Sequence, residues 1–541
     1  MKKSSFIEGT FIATFAIVIV KILGMLYVIP FYAIVGVSGG ALYAYAYNIY
    51  NIFLDISTVG LPIAMSKITN EYNTLKMYDA KARAYRIGIN IMRFVSVAVF
   101  IVLFIFARQF GELIIGDLTG GNTIENVTMA IRFISLAILV IPYLSVTKGY
   151  LQGHNIINIP SFGNVLEQVI RIIIVLLGSY ITIKILNKDY SMGVNVALLG
   201  AFFGGLASYS YIKIKMHKNK EELIPKNTKK DDIKDKEIFK KIVSYAIPFI
   251  IINTIASLYS FVDMLLVLRT MEHVGYNTIT IEFIASSIST WAGKINMIVI
   301  SIAMGMTISL IPNIVEAFTL KHWKDVNHKI NSSLKMILFI SLPLAIGLSM
   351  LSKQVWSIFY GYNDIGATIL SLSVFVAVSL NIYMVTSSIV QGLNKFKVVY
   401  ISAISGFLSN MILDVPLMLL FNKIGLPSYL GALVSSIIGY LLSVFIALKA
   451  LNKKHDIKYK DTFNCIIKML VPVISLVLVV FLLRLIPYDV NSKLSCILSV
   501  IINAIIGGIT YIYVSYKMGL IKEIIGEETV NKIVKKLTFK R

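Results

Sequence analysis

Long apolar stretches restrict this chain to a small number of folds. A helix needs about 20 apolar residues to cross the hydrocarbon core of a bilayer, and only 15% of the 541 residues are charged, against about a quarter in a soluble protein. The sequence therefore predicts an all-α polytopic membrane protein with 14 transmembrane helices. We predict these helices at 9–36, 41–66, 87–107, 127–149, 160–186, 193–215, 242–268, 281–312, 332–352, 366–391, 398–422, 428–449, 463–486 and 494–517.

The distribution of basic residues sets the predicted orientation. Most of the 51 Lys and Arg residues fall in segments on the side of the N-terminus, above all in the connections 67–86 and 213–241. Because cytoplasmic segments carry the excess of Lys and Arg, both termini are predicted to be cytoplasmic. The net charge of +23 then indicates contact with anionic membrane lipids, and no nucleic-acid partner is predicted.

Two short motifs recur in the same order, which indicates an internal duplication. Gly60-Leu-Pro-Ile is matched by Gly305-Met-Thr-Ile, and Gln152-Gly153 by Gln391-Gly392. The sequence thus predicts two pseudo-symmetric six-helix lobes, with a substrate site between them near the midplane. The predicted boundaries are an N-lobe at 1–216, a basic linker at 217–241, a C-lobe at 242–450, two extra C-terminal helices at 451–517 and an amphipathic cytoplasmic tail at 518–541.

Two lysines are placed in the middle of predicted spans. Lys21 lies in the first helix and Lys294 in the eighth. A cation at the bilayer centre costs about 3 kcal/mol or more unless it faces water or a partner, so we predict that both face a wet cavity. Two cations across one cavity repel unless an anion such as a pyrophosphate bridges them. The alternative is that each lysine pairs with an intramembrane carboxylate for packing.

Four further side chains are candidates for the cavity or for a structural role: Tyr27, Asp55, Glu167 and Arg171. Glu167 and Arg171 are four residues apart in LEQVIRI and share a helix face, so we favour an ion pair that serves packing. Asp55 is a candidate to neutralise Lys21.

Three residues form a candidate cation site. Asn410 and Asp414 are one helical turn apart in the eleventh helix, and Asp263 lies mid-span in the seventh. Carboxylate and amide oxygens suit a small hard cation. The same residues could serve a proton relay, or the carboxylates could be neutralised by protonation or by a lysine.

Enzyme signatures are missing from the sequence. It contains no P-loop, HExxH, GxSxG or nucleotide-binding glycine motif, and the pairs Gly39-Gly40 and Gly120-Gly121 are predicted to be short external turns. We therefore expect a protein that is not an enzyme and that has no organic cofactor.

The whole chain resembles the multidrug/oligosaccharidyl-lipid/polysaccharide flippase superfamily. The resemblance rests on the predicted duplication, on GLPIAMSKITNEYN at the end of helix two and on QG…P…EQVIR after helix four. The chain is most similar to the Gram-positive lipid II flippases and the stage V sporulation protein B group. The resemblance implies a multi-pass protein of the bacterial plasma membrane that works by alternating access, without ATP, as a monomer.

The resemblance also assigns roles to residues. It implies a cationic central cavity for a lipid pyrophosphate, with Lys21 in KILG and Lys294 in WAGKINM at the basic positions of the pattern. Tyr27 stands where the pattern has a further arginine, and Leu54 and Asp55 replace two more arginines. The cavity is therefore expected to be less basic than in the family pattern. Some members bind sodium at positions that Asp263, Asn410 and Asp414 match. Helices thirteen and fourteen would form a groove for the prenyl tail.

These expectations lead to a lipid II flippase as the predicted function. The substrate would be a lipid-linked oligosaccharide of the undecaprenyl pyrophosphate type. Export of another undecaprenyl-linked polysaccharide or of a spore-cortex precursor is one alternative. A cation-coupled multidrug antiporter is another, although that class would have twelve helices and an acidic cavity.

Overall fold

The computed structural model describes residues 6–219, 223, 231–319, 322–455 and 457–527, and all regular structure in these ranges is helical. Contacts divide the chain into two compact units, 1–291 and 292–541. The fold is all-α, as predicted. The lobe boundary predicted at 217–241 concerns the duplicated halves and stays a prediction.

The first unit contains eleven α-helices in its described part. They are α1 Phe6–Leu26, α2 Val28–Thr58, α3 Gly60–Thr74, α4 Tyr78–Ile105, α5 Ala107–Ile115, α6 Ile124–Ser135, α7 Ile141–Gly153, α8 Asn158–Ile173, α9 Tyr190–Lys218, α10 Asp235–Val274 and α11 Thr278–Ser286. A 3₁₀ turn, Leu136–Leu139, joins α6 to α7. Five-residue π turns lie at Ile174–Gly178, Ile181–Ile185 and Ser287–Trp291.

The second unit contains nine α-helices in its described part. They are α12 Ala292–Thr319, α13 Trp323–Met350, α14 Ser352–Tyr360, α15 Asp364–Gly392, α16 Phe396–Lys423, α17 Leu430–His455, α18 Lys460–Leu483, α19 Lys493–Lys517 and α20 Leu520–Ile525.

Thirteen helical segments of the described chain are long and apolar enough to cross a membrane. The first of them, 15–74, is 60 residues long. At 1.5 Å per residue it would measure about 90 Å as one straight helix, three times the thickness of the hydrocarbon core. This segment covers the first two predicted spans, so a count of thirteen segments agrees with fourteen crossings.

The break between those two crossings lies at residue 36, where the first predicted helix ends, whereas the turn predicted just after it was wrong. Gly39 and Gly40 lie inside α2, and the external turn predicted there does not form. The helical path breaks instead at Gly36, which has a positive φ of 69°, a conformation that glycine adopts without strain. A Cβ at Gly39 would lie 2.7 Å from the Cβ of Val35, so this glycine provides space for close packing rather than for a turn.

Glycine also allows α3 and α7 to cross closely. A Cβ at Gly149 would lie 2.4 Å from the carbonyl oxygen of Pro62, and a Cβ at Gly153 would lie 2.6 Å from that of Ser66. The spacing is the small-xxx-small pattern with which membrane helices bring their backbones together. The motif that ends in Gln152-Gly153 thus has a packing role in the first unit.

The end of the predicted linker is attached to the first unit. Nη1 of Arg83 on α4 donates to the carbonyl oxygen of Ile233 and to Oδ1 of Asp235, both at 2.7 Å. The backbone N–H of Ala80 donates to Oδ2 of Asp231 at 2.8 Å. These contacts fix the position at which the chain enters α10.

The two QG motifs end in the same backbone turn, which supports the predicted duplication. Asn155 and Asn394 follow the glycines and have positive φ angles of 59° and 54°. Each turn has a six-to-one hydrogen bond at 3.0 Å, from Ile156 N to Leu151 O and from Lys395 N to Val390 O. This is the Schellman pattern, with asparagine at the left-handed position where glycine is more common.

The start of the predicted amphipathic tail packs against its own protein. Leu520 and Ile524 of α20 are buried, and Glu523 forms ion pairs with Lys468 at 2.8 Å and Lys335 at 3.6 Å. Residues 528–541 of this tail lie outside the described residues. The first helix of the tail, α20, is therefore a short helix that packs on the second unit.

We predict that Glu523 holds α20 over Cys465. The hydrogen bond from Lys468 lowers the pKa of Glu523, so its stabilising effect is complete above its ordinary value near 4.3 and is lost as the pH falls through the lowered pKa. Glu523→Gln imitates that loss at neutral pH. Such a pair contributes up to about 1 kcal/mol. In a Cys496→Ser background, maleimide should therefore label the buried Cys465 up to about five times faster in the Glu523→Gln variant than in the parent.

The matched control for this prediction is Glu527→Gln. Glu527 pairs with Lys522 at 3.0 Å and is exposed, so its loss should leave the labelling rate unchanged. Equal rates for both variants and the parent would contradict the proposed role of Glu523.

Candidate functional site

Lys21 lies near the C-terminal end of α1 and is partly exposed. Gly24, one turn further along the same face, packs against α8, because a Cβ at Gly24 would lie 3.3 Å from Nε2 of Gln168. This contact places the Lys21 face of α1 beside α8 within the first unit.

Tyr27 and Asp55 have local partners in the first unit. The Tyr27 hydroxyl is buried and lies 3.2 Å from the hydroxyl of Tyr43. Ser257 of α10 donates to Oδ2 of Asp55 at 2.5 Å. Tyr27, which lies between α1 and α2, thus contacts the middle of α2. Asp55 connects α2 to α10.

Glu167 and Arg171 form the ion pair that their spacing predicts, at 2.8 Å. The structure adds a third member, because Nζ of Lys148 on α7 lies 2.9 Å from the other oxygen of Glu167. Lys148 was not among the predicted site residues because the predicted span ends beside it, at residue 149, whereas α7 continues to Gly153. We call Lys148, Glu167 and Arg171 the charged triad.

Two glycines of α9 bring α8 into position for the triad. A Cβ at Gly204 would lie 2.5 Å from the carbonyl oxygen of Glu167, and one at Gly200 would lie 2.9 Å from that of Arg171. The backbone of α8 therefore rests directly on α9. Tyr43, Tyr47 and Tyr50 of α2 lie within electrostatic range of the Arg171 guanidinium.

Lys294 is the third residue of α12 and is partly exposed. It follows the π turn Ser287–Trp291, a type of helical irregularity that is frequent at functional sites. In the first unit, Nδ2 of Asn48 donates to the hydroxyls of Ser289 and Thr290 at 3.2 and 3.1 Å. These bonds hold the turn from which the chain continues to Lys294. Convergence of Lys21 and Lys294 stays a prediction.

Asn410 and Asp414 lie together on α16, where both are fully buried. Nδ2 of Asn410 donates to the hydroxyls of Ser435 and Ser436 on α17 at 3.0 and 3.2 Å, and the Ser435 hydroxyl donates to Oδ1 of Asp414. The two serines are members that the sequence analysis missed. Asp263, the third predicted residue, lies on α10 of the first unit and is 6% exposed.

The oxygens of this cluster fit a small hard cation. Oδ1 of Asn410 is buried and has no hydrogen-bond partner in the described part of the chain, which leaves an amide oxygen for a metal ion. A carboxylate, an amide and two hydroxyls provide oxygen ligands only, as such ions prefer.

The motifs at the ends of α3 and α7 line a cleft of about 630 Å³. Its lining includes Ser66, Lys67, Asn70, Glu71 and Gln152. Lys241 pairs with Glu71 at 2.5 Å, and the Lys67 ammonium lies 4.1 Å from the centre of the Tyr245 ring.

Comparison with known protein families identifies the chain. Residues 6–318 match the family described as polysaccharide biosynthesis protein, and residues 248–415 match the MatE family. Lipid II flippase MurJ of Bacillus subtilis (strain 168) is 30% identical over 535 residues, which are 97% of each chain. Stage V sporulation protein B of the same organism is 22% identical over 362 residues, 67% of this chain and 68% of that one.

Solved structures agree on the fold. A structure of lipid II flippase MurJ in an inward closed conformation aligns with a TM-score of 0.66 and 18% identity, over 94% of this chain and 99% of that chain. An inward-facing multidrug transporter of the MATE family aligns with a TM-score of 0.62 and 16% identity, over 80% of this chain and 96% of that chain. The chain belongs to the polysaccharide biosynthesis protein family, in the branch of the multidrug/oligosaccharidyl-lipid/polysaccharide flippase superfamily that contains the Gram-positive lipid II flippases.

Proposed function

We propose that this protein is a transporter that moves lipid II across the bacterial plasma membrane by alternating access. The observation that carries the proposal is the 30% identity to a lipid II flippase over 97% of both chains. Thirteen apolar helical segments in the described chain and the placement of cations inside them support the same function.

In this proposal the diphosphate of the substrate is held by Lys21 and Lys294. Each ammonium is a compact point charge with three rotatable donors, which suits a phosphate that changes its position during transport. The two helices after the predicted duplication, α18 and α19, would receive the prenyl tail. They expose many large apolar side chains, including Phe463, Ile474 and Phe481.

We also propose that the protein works as a monomer with both termini in the cytoplasm. The basic segments around 67–86 and 213–241 would then face the anionic lipids of the inner leaflet.

We further propose a sodium ion at Asn410 and Asp414, with Asp263 as the third residue of the set. At a sodium concentration one hundred times its Kd, the ion would stabilise the folded protein by about 2.7 kcal/mol. Asp414→Asn should therefore remove the rise in the thermal unfolding midpoint that sodium chloride causes relative to potassium chloride. The unfolding curve of the detergent-purified protein provides the measurement.

A matched control for the sodium site is Asp461→Asn, because Asp461 is an exposed carboxylate at the start of α18. This variant should keep the full response to sodium. Identical midpoints of the parent protein in the two salts would end the sodium proposal without affecting lipid II transport.

The transport proposal is tested by depleting a bacterium of its own lipid II flippase and expressing this chain. We expect growth to resume and labelled lipid II to become accessible outside the cell. Accumulation of lipid II on the cytoplasmic side, with the chain present in the membrane, would contradict the proposal.

A further inference from the structure

The charged triad carries a net positive charge inside the membrane-spanning helices, although Lys148 lies near the end of its own segment, 124–153. Arg171 lies about 20 Å along the 28-residue segment 158–185, halfway through it. Lys148 and Arg171 contribute two positive charges, and Glu167 contributes one negative charge. One positive charge is therefore left inside the membrane, where a cation that faces neither water nor a partner costs about 3 kcal/mol.

The triad faces the interior of the first unit rather than lipid. Residues two apart on a helix point in nearly opposite directions, since each residue turns the helix by about 100°. Val169 and Ile173 are exposed, so Glu167 and Arg171 lie on the other side of α8. There Glu167 pairs with Lys148 of α7.

The triad is nevertheless accessible. The side chains of Lys148, Glu167 and Arg171 retain 15%, 16% and 22% of their exposure, more than a closed core would leave.

One donor of the triad is unused. Nε of Arg171 is buried and has no hydrogen-bond partner in the described part of the chain. The guanidinium therefore has a donor that the protein itself does not use.

We propose that Lys148 and Arg171 form a binding site for a carboxylate on the headgroup of the transported lipid, in addition to the lysines that hold its diphosphate. This inference rests on the proposed lipid II transport. Glu167 supports it, because its carboxylate already bridges the two cations at 2.9 and 2.8 Å. A carboxylate of the substrate would take one of these cations, and the net charge of plus one matches a single negative group.

Arginine is suited to this role for a geometric reason. Its planar fork binds a carboxylate through two parallel hydrogen bonds, and Glu167 occupies only Nη2. Before the substrate arrives, Glu167 lowers the net charge of the site from plus two to plus one, which limits the cost of two cations inside the membrane.

The test measures the binding of two probes to the detergent-purified full chain: undecaprenyl pyrophosphate, and lipid II with free peptide carboxylates. Arg171→Gln should weaken lipid II binding by about tenfold or more, the loss expected for a hydrogen bond to a charged group. Undecaprenyl pyrophosphate carries no peptide carboxylate for Arg171 to bind, so it should keep its Kd within about twofold. Lys148→Gln should behave in the same way.

Glu167→Gln distinguishes binding from packing. It removes the competing carboxylate and should tighten lipid II binding, whereas a purely structural triad would lose stability and bind both probes worse. Arg171→Gln leaves Glu167 paired with Lys148, so folding should be retained. The exposed Lys184 provides the control Lys184→Gln, which should bind both probes like the parent.

Three outcomes have distinct meanings. If Arg171→Gln changes the Kd of both probes by the same factor, or of neither, the carboxylate site is overturned while transport of lipid II stands. If lipid II carrying carboxamides instead of carboxylates binds the parent as tightly as the free acid, the carboxylate site is also overturned. If the parent binds neither lipid, the proposed function fails, and the site fails with it.

Discussion

Lys21→Ala or Lys294→Ala is expected to abolish rescue of a cell depleted of its lipid II flippase. Each lysine lies on an apolar helix, α1 or α12, and is partly exposed. Removal of one charged hydrogen-bond partner costs about 1.5–3 kcal/mol, or roughly tenfold to more than a hundredfold in affinity for the diphosphate. The measurement is growth after depletion, with the amount of each variant in the membrane determined in parallel.

Arg93→Ala is the matched control for these lysines. Arg93 is also a cation within a helical span, on α4, but it is exposed beside the 77% exposed Phe94 and belongs to no proposed site. Its loss should leave rescue unchanged. Full rescue by both lysine variants would contradict the proposed diphosphate site.

Gly149→Ala is expected to cause a large loss of stability in the first unit. The new Cβ would lie 2.4 Å from the Pro62 carbonyl oxygen and 2.7 Å from its Cα. Because these are backbone atoms, no side-chain rotation relieves the clash, and α3 and α7 must separate. Overpacking of this kind costs about 1–3 kcal/mol or more, which should lower the thermal unfolding midpoint and the yield of folded protein.

Gly347→Ala provides the comparison for that variant. Gly347 also lies inside a helix, α13, but no atom lies within 4 Å of the Cβ that alanine would add. Alanine should be neutral there or stabilise the helix by up to about 1 kcal/mol. Equal unfolding midpoints for the two variants would show that the close α3–α7 crossing is wrong.

The sequence predicts most of the fold because hydrophobic length is a local property. The apolar stretches and their basic flanks are present in the sequence itself, and the structure agrees with nearly all of them. The error at Gly39-Gly40 has a physical cause: a glycine pair indicates either a turn or a close approach. The positive φ at Gly36 breaks the helix there and leaves the glycine pair helical. Which of the two occurs depends on tertiary packing.

The candidate site could be predicted only where its members are close in sequence. The pairs Glu167–Arg171 and Asn410–Asp414 follow from helical spacing. Lys148 joins Glu167 across two helices, and Ser435 joins Asp414 in the same way. Contacts between helices depend on packing, here on Gly200 and Gly204 of α9 and on Gly431 of α17, whose Cβ would lie 2.4 Å from the Met418 backbone nitrogen. Helical periodicity does not encode such contacts.

The central claim is that two lysines hold one diphosphate, and its most direct test compares undecaprenyl pyrophosphate with undecaprenyl monophosphate. We predict that the parent protein binds the diphosphate more tightly, and that Lys21→Ala and Lys294→Ala each abolish this preference because one cation then serves one phosphate. The measurement is the ratio of the two Kd values for each purified protein. A ratio that stays unchanged in both variants would contradict the claim.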